Sequence, residues 1–250
     1  MGRDSVRGSS KGVCRLTEVD KDRLLFASML HAEVPFTFAK FGDGELMCIA
    51  GRTGENTDGQ TYGPDLADAL AVSFTFLAER PQTFLSQWHE PWVIAEAIRK
   101  HPEMGRVRAR WTHHHLLLLH DRSEALEEFY RALILSNRKK VFVGPAILSG
   151  AAELLRCEHH IEAPLRNAFQ QYQAVNDSIS NANGDVLLFC AGLASKVWIA
   201  DEATRRPSST LIDLGSALDP LFIGRTRSIP QPDKAEAQEF FEHALNGVTA

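Results

Sequence analysis

The stretch Phe36-Thr37-Phe38-Ala39-Lys40-Phe41 constrains this chain most. In an extended conformation Phe36, Phe38 and Lys40 point one way and Thr37, Ala39 and Phe41 the other, so apolar side chains lie on both faces. A strand of that kind needs cover on both sides, as in a parallel sheet held between helices. The run then breaks into Gly42-Asp43-Gly44-Glu45, where the glycines permit a tight turn and two carboxylates project from it. In open α/β sheets, ligands bind outside the carboxyl ends of the strands. Asp43 and Glu45 are therefore placed to hold a divalent cation that bridges to phosphate oxygens. The alternative is a solvated acidic turn without a ligand.

The rest of the chain alternates strand and helix signals. Thr17-Glu18-Val19-Asp20 reads as a helix N-cap, and the helix through Leu30 places Leu24, Leu25 and Met29 on one side. Residues 51–63 form a glycine-rich loop that could fold over a ligand. Pro64 opens a helix with Leu66, Leu70, Phe74 and Leu77 at helical spacing. Strands are predicted at Thr83–Ser86, Val141–Pro145, Asp185–Cys190 and Thr210–Gly215, the last with Asp213 near its end. The period-two pattern of Arg106–Trp111 predicts another, with one basic face. Helices are predicted at 90–100, 123–137, 151–156, 166–179 and 233–245, with an extended piece at 159–164. The turn Ala191–Lys196 joins a strand to a helix. It offers backbone N–H groups to an anion, or is simply tight packing. His113-His114-His115 with His120 suggests a metal site, but consecutive histidines in a strand face opposite ways and do not converge. The reading is α/β: a single Rossmann-like domain over 14–250, its mostly parallel sheet flanked by helices, behind a Gly-, Ser-, Arg- and Lys-rich disordered tail at 1–13.

A net charge of −5 argues against a nucleic-acid protein held by bulk electrostatics. Cys14, Cys48, Cys157 and Cys190 form no CxxC, and Cys48 and Cys190 read as buried thiols. With no secretory or transmembrane stretch in the sequence, the expected location is cytoplasmic. There is no GxGxxG and no Walker A, so standard dinucleotide and P-loop readings have no support.

Three signatures, in order over roughly residues 20–222, resemble one family. They are Lys40-Phe41-Gly42-Asp43-Gly44-Glu45, then Ala163-Pro164-Leu165-Arg166-Asn167-Ala168-Phe169 with Tyr172, then Leu188 to Lys196 followed by Ile212-Asp213-Leu214-Gly215. Together they resemble the GT-D fold glycosyltransferases, the bacterial group defined by the DUF1792 domain. The resemblance implies a hexosyltransferase that moves a sugar from a nucleotide-diphosphate donor, of UDP type, to a hydroxyl of a glycan or glycoconjugate. It implies Mn2+ or Mg2+ held by Asp43 and Glu45. It places Lys40, Phe41, Gly42, Gly44, Asn167, Gly192, Ser195, Lys196 and Asp213 around the donor. Lys40 stands where the family has Arg, keeping charge but losing the bidentate fork. Ser216-Ala217-Leu218-Asp219-Pro220 stands where the family has a His and an acidic, aromatic run. An inverting transfer needs a base, and Asp219 and Glu55 are the loop carboxylates considered for it. Two other readings stay open: a non-catalytic nucleotide- or partner-binding relative, and a metal-dependent nucleotide-sugar hydrolase.

Overall fold

Every residue of β1 (Thr37–Phe41) is buried, as its two apolar faces require. The computed structural model describes residues 16–57, 59–87, 91–224, 226 and 230–246; the tail expected at 1–13 lies outside them. Around β1 stand β2 (Thr83–Gln87), β3 (Trp111–His113), β4 (Lys140–Gly144), β5 (His159–Glu162), β6 (Val186–Phe189) and β7 (Thr210–Asp213). They form one seven-stranded sheet in the order β3-β2-β1-β7-β6-β4-β5. Every strand pair in it is parallel. The expected mostly parallel sheet is thus parallel throughout the described residues.

Alternation along β1 splits the core into two layers. Phe36 and Phe38 join Phe26, Leu30, Phe129 and Leu133, contributed by α1 (Glu18–His31) and α5 (Glu124–Leu135). Ala39 and Phe41 join Leu70, Phe74 and Trp198, contributed by α3 (Pro64–Ala78) and α8 (Ala194–Arg205). Phe26 sits at the hub of the first layer, its ring centroid 4.7 Å from Phe36, 5.5 Å from Phe38 and 4.8 Å from Phe84. The remaining helices are α2 (Asp43–Ile49), α4 (Pro91–Lys100), α6 (Ser149–Leu154), α7 (Tyr172–Asn181), α9 (Asp219–Phe222) and α10 (Lys234–Asn246). Among the described residues no helix is long and apolar enough to cross a membrane.

Most predicted elements are present, and Thr17 caps α1 by accepting from the Asp20 N–H at 3.1 Å. Four expectations change. Gly42-Asp43-Gly44-Glu45 is no projecting turn but the cap and first turn of α2, which follows β1 with Gly42 alone between them. The strand expected at Arg106–Trp111 lies instead at Trp111–His113. Arg110 places its guanidinium over the Phe84 ring at 4.2 Å, so that arginine marks a cation–π contact rather than a basic strand face. The helix expected from Arg166 begins at Tyr172, because Asn167 adopts a left-handed backbone (φ 49°) and a short 3-10 turn (Ala168–Gln171) intervenes. On α1 the buried face is Phe26, Ala27, Met29 and Leu30, and Leu24 and Leu25 are half-buried.

Candidate functional site

The carboxyl ends of the strands open into a cleft of about 710 Å³. Lys40, Asp43, Gly44 and Glu45 reach it from the β1–α2 junction, and His114 and His115 from the end of β3. Asn167 follows β5, Gly192 and Lys196 follow β6, and Gly215 and Asp219 follow β7. Residues distant in sequence meet here because a parallel sheet delivers every strand end to the same edge.

At the floor lies a buried charge cluster. The Lys196 ammonium is 2.8 Å from Glu45 Oε1 and 2.9 Å from Asp213 Oδ2, and donates to the Gly192 carbonyl at 3.0 Å. Glu45 Oε2 accepts the Gly42 N–H at 2.9 Å, which closes the first turn of α2. Asp213 accepts the Lys40 N–H through Oδ2 (3.2 Å) and the Gly215 N–H through Oδ1 (3.0 Å). Exposure is 7% for Glu45, 3% for Lys196 and nil for Asp213, so none of these charges has bulk water as its solvent. Burial pushes the Glu45 carboxyl up, but the Lys196 ammonium and the Gly42 N–H outweigh it and hold the group below the ordinary carboxylate value. Burial pushes Lys196 down, and Asp213 and Glu45 together outweigh it and hold the ammonium above its ordinary value.

Glycine is favoured at two positions around this cluster. Gly215 is left-handed (φ 56°), and a Cβ there would lie 2.8 Å from Lys40 Nζ. A Cβ on Gly42 would lie 2.7 Å from the His114 ring, which Ser86 Oγ contacts at Nδ1 (3.2 Å).

The rim is built differently. Asp43 is exposed at the first position of α2. The loop 51–63 folds on itself through a Glu55–Thr61 bridge and the Asn56 N–H to Gln60 carbonyl bond of 3.1 Å. Asn167 fastens it: its Oδ1 accepts the Thr61 N–H at 2.8 Å and Gln60 Nε2 at 3.3 Å, while Gln60 Oε1 accepts the Phe169 N–H at 3.3 Å. Asn56 and Tyr62 lie against Gly44, so the loop packs on the start of α2 while leaving Asp43 exposed.

The residues expected around a donor therefore divide. Lys40, Asp43, Gly44, Glu45, Asn167, Gly192 and Lys196 line the cleft. Phe41 is fully buried, packing edge-on to Phe74 at 5.1 Å, and is core. Ser195 is fully buried and its hydroxyl accepts the Ala191 N–H at 3.0 Å, tightening the turn into α8 rather than presenting a donor. Asp213 is the cluster's buried anchor. Sequence reasoning passed over His114 and His115 as cleft residues. It treated the three histidines as consecutive extended residues facing opposite ways, whereas β3 ends at His113 and the next two enter a turn that lines the cleft. Among the described residues no three His, Cys, Asp or Glu side chains are grouped to hold a metal ion on their own.

No family model matches the chain, and no curated protein matches it. Two solved structures do. One is described as the highly conserved domain of unknown function 1792 with a distinct glycosyltransferase fold: TM-score 0.61, 19% identity, 90% of this chain and 88% of that chain covered. The other is a selenomethionine-substituted structure of the same domain, with TM-score 0.57, 18% identity and the same coverage. The chain has this glycosyltransferase fold, and the resemblance carried by its motifs and the likeness of its architecture meet on the same domain.

Proposed function

We propose that the protein is a glycosyltransferase that takes a hexose from a UDP-type sugar and delivers it to a hydroxyl on a glycan or glycoconjugate, with Mn2+ or Mg2+ as cofactor. The observation that carries the proposal is the cleft itself. In a chain with a glycosyltransferase fold, the exposed Asp43 lines one cleft with Gly192 and Lys196.

Charge balance supports a cation. The described lining carries Lys40, Arg166 and Lys196 against Asp43, Glu45, Glu55 and Asp219. A diphosphate entering that lining meets more negative than positive charge, so it needs a cation brought with it. Asp43 supplies a hard, exposed oxygen ligand, and one or two carboxylates plus substrate phosphates make an ordinary site for Mg2+-like ions. The residues fit such an ion. When bound, it would act as a Lewis acid on the leaving diphosphate.

The chain's own groups do the rest. Gly192 lies on the cleft wall at the turn into α8, where the positive end of the helix dipole favours a diphosphate; the Ser195 and Lys196 N–H groups are engaged with the Gly192 and Leu193 carbonyls at 3.3 Å. The loop 51–63, clasped by Asn167, shields the donor from water. An inverting transfer draws its base from the lining carboxylates Asp219 and Glu55, of which Asp219 is oriented by the Thr226 hydroxyl.

The test is a melting-temperature panel of UDP- and GDP-sugars with Mn2+ or with excess chelator, because a ligand that binds only the folded state raises the transition. A uridine nucleotide should stabilise the protein only with the ion. Equal stabilisation in chelator would count against the ion-bridged site. Sugar release without an acceptor would mark a hydrolase.

A further inference from the structure

The two acidic residues of the Asp-x-Glu motif do not do the same work. An ammonium has three N–H groups, and Lys196 has three partners within hydrogen-bond distance: Glu45 Oε1 at 2.8 Å, Asp213 Oδ2 at 2.9 Å and the Gly192 carbonyl at 3.0 Å. Both Glu45 oxygens are engaged as well, Oε1 with Lys196 and Oε2 with the Gly42 N–H. A divalent ion bound directly to Glu45 would share that carboxylate with a buried ammonium, and like charges so close repel strongly where water is scarce. Asp43, two residues earlier, is exposed and stands outside the cluster's ion pairs with Lys196.

We infer that Glu45 and Lys196 are positioning residues. Their pair fixes the start of α2 to the ends of β6 and β7, while Asp43 alone presents the motif's charge to the ion and diphosphate. The ligand half of this inference rests on the proposed function; the clamp half does not. The geometry explains why a lysine stands at the start of α8. It serves as the shared counter-ion of two carboxylates, one on α2 and one at the end of β7, rather than as a phosphate hook.

Two measurements on the full chain test this. The first needs no ligand: a thermal double-mutant cycle with Lys196→Met, Glu45→Gln and the double variant. Lys196→Met strands two buried carboxylates, and should lower the melting temperature by on the order of 10 °C. Adding Glu45→Gln removes one of them and should restore about a third or more of the loss. If Glu45→Gln shifts melting equally in both backgrounds, the pair is not coupled and the clamp is wrong. Should Lys196→Met fail to fold, Lys196→Gln takes its place in the cycle. The second measurement is calorimetric titration of Mn2+ in the presence of UDP. Asp43→Asn should weaken binding by about tenfold or more, and Glu45→Gln by no more than about threefold. Equal weakening by both would overturn the division of roles. If the native chain takes up no Mn2+ with UDP, the proposed function falls, and the cycle alone decides the clamp.

Discussion

The floor and the rim of the cleft are made from similar residue types and held by opposite means. At the floor, Glu45, Asp213 and Lys196 are buried and tied by ion pairs that reach across three strand ends. At the rim, Asp43 and Glu55 are exposed, and the loop beside them hangs on neutral hydrogen bonds from Asn167 and Gln60. The contrast teaches that a carboxylate's role follows from where its counter-charge lies. Buried charges that lose a partner are costly, so they lock geometry. Exposed charges keep their water until a ligand arrives, so they are available for binding.

The sharpest way to break this comparison is to remove the floor's cation. Lys196→Met should cost about 3–5 kcal/mol of stability by chemical denaturation, the range for breaking a buried pair. Its pH dependence should change too. The Glu45 carboxyl is held below its ordinary value in the folded protein, so its contribution is present above the ordinary carboxylate range and is lost as pH falls through the folded value. Without Lys196 that acid-sensitive contribution should vanish, so native and variant stabilities should draw together as pH falls below the ordinary carboxylate range. Parallel curves would mean the lysine does not hold the carboxylate.

At the rim the same kind of change should act on rate and leave stability alone. Asp43→Asn should slow transfer about a hundredfold, near 2.7 kcal/mol, with melting unchanged within about 2 °C. A variant that unfolds would place Asp43 with the floor. Between the two regions stands Gly215, left-handed and crowded by Lys40. Gly215→Ala should cost about 1–2 kcal/mol from the backbone alone, read from a denaturation midpoint. The smallest effect belongs to the clasp. Asn167→Ala removes an acceptor shared by Thr61 and Gln60, worth about 1 kcal/mol, and should speed amide exchange at Thr61 without moving the global transition. Unchanged exchange at Thr61 would show that the loop holds itself.

The floor and the rim were also unequally legible in sequence. β1, β4, β6 and β7 announce themselves because strands covered on both faces carry apolar residues on both. Asp43 is visible because a Gly-Asp-Gly-Glu break closes such a strand, and ligands bind outside the carboxyl ends of strands in open α/β sheets. The engagement of Glu45 was hidden, since its partner Lys196 lies on another strand–helix unit and pairing across a sheet leaves no local periodicity. Ser195 looked like an anion contact because hydroxyls that cap their own turn and hydroxyls that bind ligands share one sequence appearance. Asn167 was read as part of a helix, and only its left-handed backbone turns the side chain into a fastener for the loop.

The strand order carries a consequence for how this protein is made. β1 lies between β2 and β7, so one flank of the strand that carries the acidic motif stays open until the segment around Thr210 has been synthesised. A ribosome releasing this chain from its amino end delivers Glu45 long before Lys196 and Asp213. Until then the nascent sheet has an unpaired edge and a carboxylate without its counter-ion, the circumstances in which chaperones find clients. The cleft is therefore among the last features to form, and truncation before β7 should yield a chain without β1's second neighbour rather than a smaller folded domain.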